Sequence, residues 1–311
     1  MTLCLLSGSA NPQLGDAIAN ILGVEPTTCE LERFPDGELQ VKVGALHDGD
    51  VYIVQPTGPP VNDHLVELLL LIDACRREGA GRITAVIPYL GYARQDRRTE
   101  SGQSVAAQVS ARTITNSGAN RVIVVDPHTP AVETLFEVPV EVLTAVPTLA
   151  RELEEHISED TVIVAPDLGA VKLAEHYGSL LAKPVVIVRK TRHSGSEVSV
   201  EEVVGDVAGR PVVIVDDMIS TGATIRAAAG AVLERGALPD LVVAATHGLL
   251  VRATSEDPVL PKFQQVLITD SLAAKSTPDV PLEVVSIAPL LADGIDRLQS
   301  RRPLDDLLMR R

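Results

Sequence analysis

Lysine is nearly missing from this chain. Only Lys42, Lys172, Lys183, Lys190, Lys262 and Lys275 occur in 311 residues, and 27 basic residues face 42 acidic ones, for a formal charge of −15. That balance excludes binding nucleic acid through its phosphates, which needs a basic face to release counterions. A surface poor in lysine and rich in carboxylate suits a salt-rich cytoplasm, where screening within a few ångströms quiets repulsion among the acids. A halophilic protein is therefore expected, with an ordinary acidic enzyme as the plainer alternative. Cysteine is scarce as well. Cys4, Cys29 and Cys75 are odd in number, far apart and without C-x-x-C spacing, which excludes a disulfide framework and a zinc site and leaves small buried apolar residues. Long apolar runs are also absent. The richest, LVELLLLIDA, is broken by Glu67 and closed by Asp73, short of the roughly 18 residues that a membrane span requires. The opening MTLCLLSGSA has no basic n-region and reads as a first strand rather than a signal peptide. The expectation is a cytoplasmic protein that binds neither membrane nor nucleic acid.

What is present is an alternation. The chain is 45% apolar, enough for two domains of ordinary size. Short β-branched runs end at polar or glycine-bearing loops, at Leu3 to Leu6, Val51 to Val54, Ile83 to Ile87, Val122 to Val125, Val162 to Ala165, Val185 to Val188, Val212 to Val215, Leu241 to Ala245, Gln265 to Ile268 and Glu283 to Ile287. Amphipathic stretches between them predict helices over Val61 to Glu78, Ser104 to Asn116, Val146 to His156, Gly169 to Tyr177, Thr224 to Glu234 and Leu290 to Gln299. All-apolar strands suit parallel sheets covered on both faces, so the class is α/β, in two sheets, with a boundary near Pro139 to Pro147.

In such sheets ligands collect where strands run into helices. After Val212 to Val215 comes DDMISTGAT. Asp216 and Asp217 can bind sugar hydroxyls or a hydrated magnesium ion. Ser220, Thr221, Gly222, Ala223 and Thr224 form a tight loop at a helix start, where backbone N–H groups and hydroxyls fit a phosphate monoester. The competing reading is a bare turn capped by Thr224 or Ser220. It leaves the paired acids unexplained. The stretch resembles the ribose-5-phosphate loop shared by type I phosphoribosyltransferases and the ribose-phosphate pyrophosphokinase family, in which the acids hold the ribose hydroxyls and the loop holds the 5-phosphate.

Other segments separate those two. ERFPDGELQVKV, QPTGPPVNDHLVELLLLIDACRREGAGRITAVIPYLGYARQDRR, VVDPHTP, APDLGAVKLA and VIVRKTRHSGSEV follow the pyrophosphokinase family in its usual order, from about residue 30 onward. GYARQDRR places Arg94, Arg97 and Arg98 after a buried strand, and arginine offers phosphates a planar fork of donors. The family binds ATP there, which implicates Arg94, Gln95, Asp96 and Arg97. In RFPDGELQ, Phe34 can stack on a purine while Asp36 or Glu38 accepts its amino hydrogens, core packing being the alternative for Phe34. The family's loop reaches the adenine of a neighbouring subunit, which implies a homo-oligomer, at least a dimer. His128, two residues after Asp126, can orient triphosphate oxygens or magnesium. Asp167 resembles the family's pyrophosphate-loop aspartate near ribose and metal, so His128 and Asp167 are the metal candidates. Ala170 replaces a usual glycine there, which narrows backbone approach. Lys190 and Arg192 precede a segment, Ser194 to Ser196, that reads as a mobile loop, and they are the catalytic candidates. Lys-Thr-Arg resembles archaeal members, and Ser220 stands where many members carry a third aspartate.

The resemblance implies two phosphoribosyltransferase-like domains, each a mostly parallel sheet flanked by helices. Residues 1–141 would bind nucleotide, residues 142–287 would bind ribose 5-phosphate, and a C-terminal helix within 288–311 would return to the first domain. The implied reaction moves the diphosphoryl group of ATP to ribose 5-phosphate with magnesium. Rivals are a nucleobase phosphoribosyltransferase and a non-catalytic regulatory relative.

Overall fold

The computed structural model describes residues 2–129, 131–192, 198–251, 263–273 and 281–309, with backbone alone at 190–192 and 198–201. The chain divides into two compact units: Met1–Thr144 with Ser271–Ala273 and Ser286–Arg310, and Ala145–Asp270 with Ala274–Val285.

The first unit runs β1 (Leu3–Ser7), α1 (Pro12–Leu22), β2 (Cys29–Arg33), β3 (Leu39–Val43), β4 (Asp50–Val54), α2 (Val61–Arg77), β5 (Arg82–Ile87), α3 (Ala106–Ser117), β6 (Arg121–Val125), the single turn α4 (Val132–Leu135) and β7 (Val140–Leu143). Its sheet is all parallel in the order β1-β4-β5-β6-β7. Val51, Ile53, Ile83, Ala85, Val122 and Val124 pack beneath Leu68, Leu71 and Ile72 of α2 and Ile114 of α3. Full burial of each such aliphatic side chain contributes roughly 1.5–3 kcal/mol. Cys75 sits in this core with Cys4 and Cys29 at its margin. Burial pushes the Cys29 thiol up to about 11 and Cys75 up to about 12, so both stay neutral, as the apolar reading requires.

The second unit runs α5 (Val146–Leu153), β8 (Val162–Ala165), a 3-10 turn at Leu168–Ala170, α6 (Val171–Leu181), β9 (Val185–Arg192), β10 (Val198–Val204), β11 (Val212–Ile219), α7 (Ala223–Glu234), β12 (Val242–Gly248), β13 (Gln265–Thr269) and β14 (Leu282–Val285). Strand order is β10-β9-β8-β11-β12-β13-β14, parallel except where β10 pairs antiparallel with β9. The chain therefore moves outward from β8 to β9 and then resumes on the other side of β8 at β11. Helices follow that reversal. Ala174 and Tyr177 of α6 pack on the face bearing Ile163, Val213 and Val215, while Ile225, Ala228 and Val232 of α7 pack on the face bearing Val162, Ile214 and Val243. A crevice opens at such a switch point, beyond the carboxyl ends of β8 and β11. The last helix, α8 (Ala288–Gln299), belongs to the first unit and packs on α1.

Both units are α/β with mostly parallel sheets flanked by helices, as the sequence predicts, but the ten expected strands become fourteen among the described residues. The additions β2, β3, β7 and β10 are the ones without continuous apolar runs. β2 and β3 alternate half-buried with exposed residues and form a separate ribbon whose β3 strand lies against α2. β7 carries Glu141, paired at 3.4 Å with Arg121 of β6. Helix α1 is an addition as well: Asn11 accepts the Leu14 N–H at 3.3 Å, Pro12 opens the helix and Gly23 closes it at φ +66°. No helix among the described residues is long and apolar enough to cross a membrane.

Candidate active site

At the switch point the chain leaving β8 turns at Asp167. Its Oδ1 accepts the N–H groups of Gly169 at 2.9 Å and Ala170 at 3.3 Å, which starts the 3-10 turn. Ala170 is 5% exposed and packs in the core. Its methyl group is therefore turned from solvent.

β11 continues past Val215, where the sequence reading ended it. Asp216 pairs in register with Ala245, and the strand persists to Ile219 opposite Gly248. The two acids are thus fixed by sheet pairing rather than held on a loop. Asp216 accepts the Asp217 N–H at 2.9 Å. Burial, above all, pushes the Asp216 carboxyl well above the usual carboxylate range. The charge of Asp217, a side-chain hydrogen bond with it and the charge of Asp167 push the same way, while the Asp217 N–H pulls partly back. Three acids from two adjacent strand ends therefore crowd one another. Crowding of this kind is relieved by a hard cation or by hydroxyl donors.

Beyond Ile219 the chain makes its turn at Gly222, φ +73°, a conformation that costs glycine little and other residues more. Gly222 is also the N-cap of α7, with no side-chain cap bond. The competing reading, in which Thr224 or Ser220 caps the helix, is not realised. Ala223 and Thr224 lie in the first turn of α7, and Ser220 and Thr221 are half-buried before it. The Ala223 N–H reaches the Thr221 hydroxyl at 3.5 Å, and the helix start presents the positive end of its dipole to the loop.

Lys190 and Arg192 fall on β9, opposite Val200 and Val198 of β10. That backbone is extended strand; their side chains, and residues 193–197 with the expected loop at Ser194 to Ser196, lie outside the described residues.

In the first unit, the chain leaving β5 is anchored at several points. Tyr92, at φ +64°, donates its hydroxyl proton to Asn62 of α2. The Gln95 N–H donates to the Tyr92 carbonyl at 2.9 Å, and the Gln95 carbonyl accepts from Ala107 at 3.2 Å. Asp96 accepts the Thr129 hydroxyl at 2.6 Å, which ties the loop after β5 to the loop after β6. Arg94, Arg97 and Arg98 are all exposed. Among the described residues their guanidinium groups make no ion pair or hydrogen bond. This is unusual company in so acidic a chain: Arg297, by contrast, is held by Asp293 and Asp306.

His128 is exposed beside that loop's tie at Thr129, following Asp126, which is 2% exposed and held at φ +36° with its N–H on the Leu143 carbonyl at 3.0 Å. A non-glycine residue at positive φ stores strain of the sort found at ligand sites. Phe34, Asp36 and Glu38 form the exposed tip of the β2–β3 ribbon, shaped by the Glu38 N–H on Asp36 at 3.1 Å. Phe34 is 39% exposed, so core packing does not account for it. His128 and Asp167 belong to different units, and no cluster of three or more metal-ligating side chains occurs among the described residues. The supporting residues Asn62, Tyr92 and Thr129 carry no sequence signal, since each acts through a partner thirty or more residues away.

Residues 3–118 match the N-terminal domain of ribose phosphate pyrophosphokinase, and residues 140–270 match the phosphoribosyl transferase domain. The chain is 40% identical over 299 residues to the ribose-phosphate pyrophosphokinase of Gloeobacter violaceus, covering 95% of this chain and 90% of the relative. It is 40% identical over 301 residues to the chloroplastic ribose-phosphate pyrophosphokinase 1 of Oryza sativa subsp. japonica, covering 95% and 76%. The crystal structure of phosphoribosylpyrophosphate synthetase from Mycobacterium smegmatis superposes with a TM-score of 0.87 at 35% identity, over 97% of this chain and 100% of that one. The chain belongs to the ribose-phosphate pyrophosphokinase family.

Membership of the pyrophosphokinase family sets aside the nucleobase phosphoribosyltransferase, which shares the β11 loop but has no use for the loop after β5. These pyrophosphokinase relatives are bacterial and plant proteins. They lend no support to the archaeal likeness drawn from Lys190-Thr191-Arg192.

Proposed function

We propose that the chain transfers the diphosphoryl group of ATP to the C1 hydroxyl of ribose 5-phosphate, giving phosphoribosyl pyrophosphate and AMP. The observation that carries this reading is a division of charge. Crowded carboxylates stand beside a phosphate-type helix start at one set of strand ends, and three uncompensated guanidinium groups stand at another. The first suits a sugar phosphate and the second a polyphosphate.

In this reading Asp216 and Asp217 accept from the ribose hydroxyls, and Ser220 through Thr224 donate to the 5-phosphate. Arg94, Gln95 and Arg97 bind ATP together with His128, with Asp96 holding their loop to Thr129. Phe34 stacks on adenine while Asp36 and Glu38 accept its amino hydrogens. The exposed ribbon tip serves the site of a second copy, so the working enzyme is a homo-oligomer, at least a dimer. The anomeric hydroxyl oxygen attacks the β-phosphorus in line. The bond from that phosphorus to the oxygen bridging it to the α-phosphorus breaks, AMP leaves with that oxygen, and the hydroxyl proton is released to solvent. Lys190 and Arg192 stabilise the charge that grows on the transferring group and on AMP, so catalysis is positioning and charge neutralisation without a covalent enzyme intermediate.

The crowding at Asp216 fits a magnesium requirement, since hard oxygen donors in excess of local positive charge are what that ion takes. Asp167 and His128 are each candidate ligands on their own unit, and when bound the ion would neutralise polyphosphate charge. The protein is placed in the cytoplasm, and its carboxylate excess is read as halophilic.

Incubation with magnesium, ribose 5-phosphate and ATP labelled in the β-phosphate tests the proposal. The label should leave in the sugar product with AMP in equal amount. ADP as the stoichiometric product would overturn the assignment, and AMP without a sugar diphosphate would leave only an ATPase.

A further inference from the structure

A backbone loop binds an anion only if its carbonyl oxygens are turned away, because each peptide plane points its N–H opposite to its C=O. In the loop after β11 four successive carbonyls are already engaged by donors of the protein. The Ile219 carbonyl accepts the N–H groups of both Leu249 and Leu250 at 3.0 Å, and the Ser220 carbonyl accepts Val251 N–H at 2.9 Å. The Thr221 carbonyl accepts Nη1 of Arg226 at 3.2 Å, and Gly222 accepts the Arg226 N–H at 2.9 Å. The N–H groups of Thr221 and Gly222 are thereby set on the opposite side. Two anchors fix the clamp. Arg226 is half-buried in the first turn of α7. Leu250 sits at φ +46° with its side chain 6% exposed in the core. A leucine held in that conformation is strained, and strain persists only where surrounding structure over-determines it.

We infer that Arg226 and the segment Leu249–Val251 are positioning residues of the phosphate loop, which set affinity for the 5-phosphate by holding the carbonyls of residues 219–222 away from it. Arg226 acts through the Thr221 carbonyl, and Leu250 through the placement of its own and its neighbours' N–H groups. The inference rests on the assignment of this loop to ribose 5-phosphate.

Calorimetry with ribose 5-phosphate and steady-state kinetics test it on the full chain. Arg226→Ala and Leu250→Val, the second placing a β-branched residue at positive φ, should each raise the dissociation constant and KM for ribose 5-phosphate by about tenfold, as the loss of a hydrogen bond from a charged donor does. KM for ATP should not move. The two substitutions strain one loop, so their combination should cost less than the product of the single effects. Arg226→Ala is the robust arm, because alanine suits a helix and should fold even if Leu250→Val does not. Unchanged ribose 5-phosphate affinity in folded Arg226→Ala, or only a lowered melting temperature, would overturn the inference while leaving the loop assignment intact. Failure of the parent protein to bind ribose 5-phosphate would instead remove the assignment, and the inference with it.

Discussion

The loop after β11 and the loop after β5 both leave parallel strands at their carboxyl ends, and both are assigned to anions, yet they are built from opposite materials. The first offers backbone: Gly222 as an uncapped helix start, with the carbonyls of 219–222 tied back. The second offers long side chains, Arg94, Arg97 and Arg98, on a segment anchored at Gly91, Tyr92, Gln95 and Asp96. A phosphate monoester has one fixed group to seat, and fixed N–H donors seat it with little entropy lost on binding. A triphosphate must be gripped, neutralised and partly released within one turnover, for which adjustable guanidinium groups are better suited. Substitutions should therefore divide by substrate.

The largest effects should come from neither loop but from the cations assigned to the transferred group. Lys190→Ala and Arg192→Ala should each lower turnover by about 10² to 10³, roughly 2.7–4 kcal/mol, with the dissociation constants of both substrates nearly unchanged. Stopped reactions at saturating substrate measure this, and parent-like turnover in either variant would remove the catalytic role.

Asp216 sharpens the contrast because the protein gains nothing from it when empty. Its carboxyl is raised above the usual range in the folded chain, so its contribution to stability is greatest below the unfolded pKa and is lost as pH rises through the folded value. Asp216→Asn should then raise the melting temperature of the substrate-free protein at neutral pH, with the gain fading as acid protonates the parent residue. The same variant should weaken ribose 5-phosphate binding by about tenfold. A variant less stable than the parent at pH 7 would show the acids to be structural.

Smaller effects belong to the ribbon tip. Phe34→Ala should raise KM for ATP by about fivefold, near the low end of the roughly 1–3 kcal/mol that base stacking supplies, with no change in ribose 5-phosphate affinity. The smallest effect on either loop should come from salt. If the carboxylate excess is an adaptation, the melting temperature should climb between dilute buffer and molar potassium chloride, and a flat profile would reject the halophilic reading alone.

Legibility in the sequence followed the same division. Both loops were readable because glycine, paired acids and clustered arginines are local features, and the all-apolar strands before them were readable because both their faces are covered. The β2–β3 ribbon escaped because half-buried strands alternate, as CELER and LQVKV do, and only a period-two test finds them. Strand β11 outran its expected end because pairing with β12 carries two acids that propensity would exclude. The ties of Asp96 to Thr129, and of Ser220 to Val251, leave no trace in composition or spacing. They exist only after distant segments meet.

The division of labour between the loops is tested most directly by calorimetry of each substrate alone on two variants. Thr221→Ala should weaken ribose 5-phosphate by about tenfold and leave ATP unchanged, while Arg94→Ala should do the reverse. Weakening of the same substrate by both substitutions, or of both substrates by either one in a folded protein, would contradict the account.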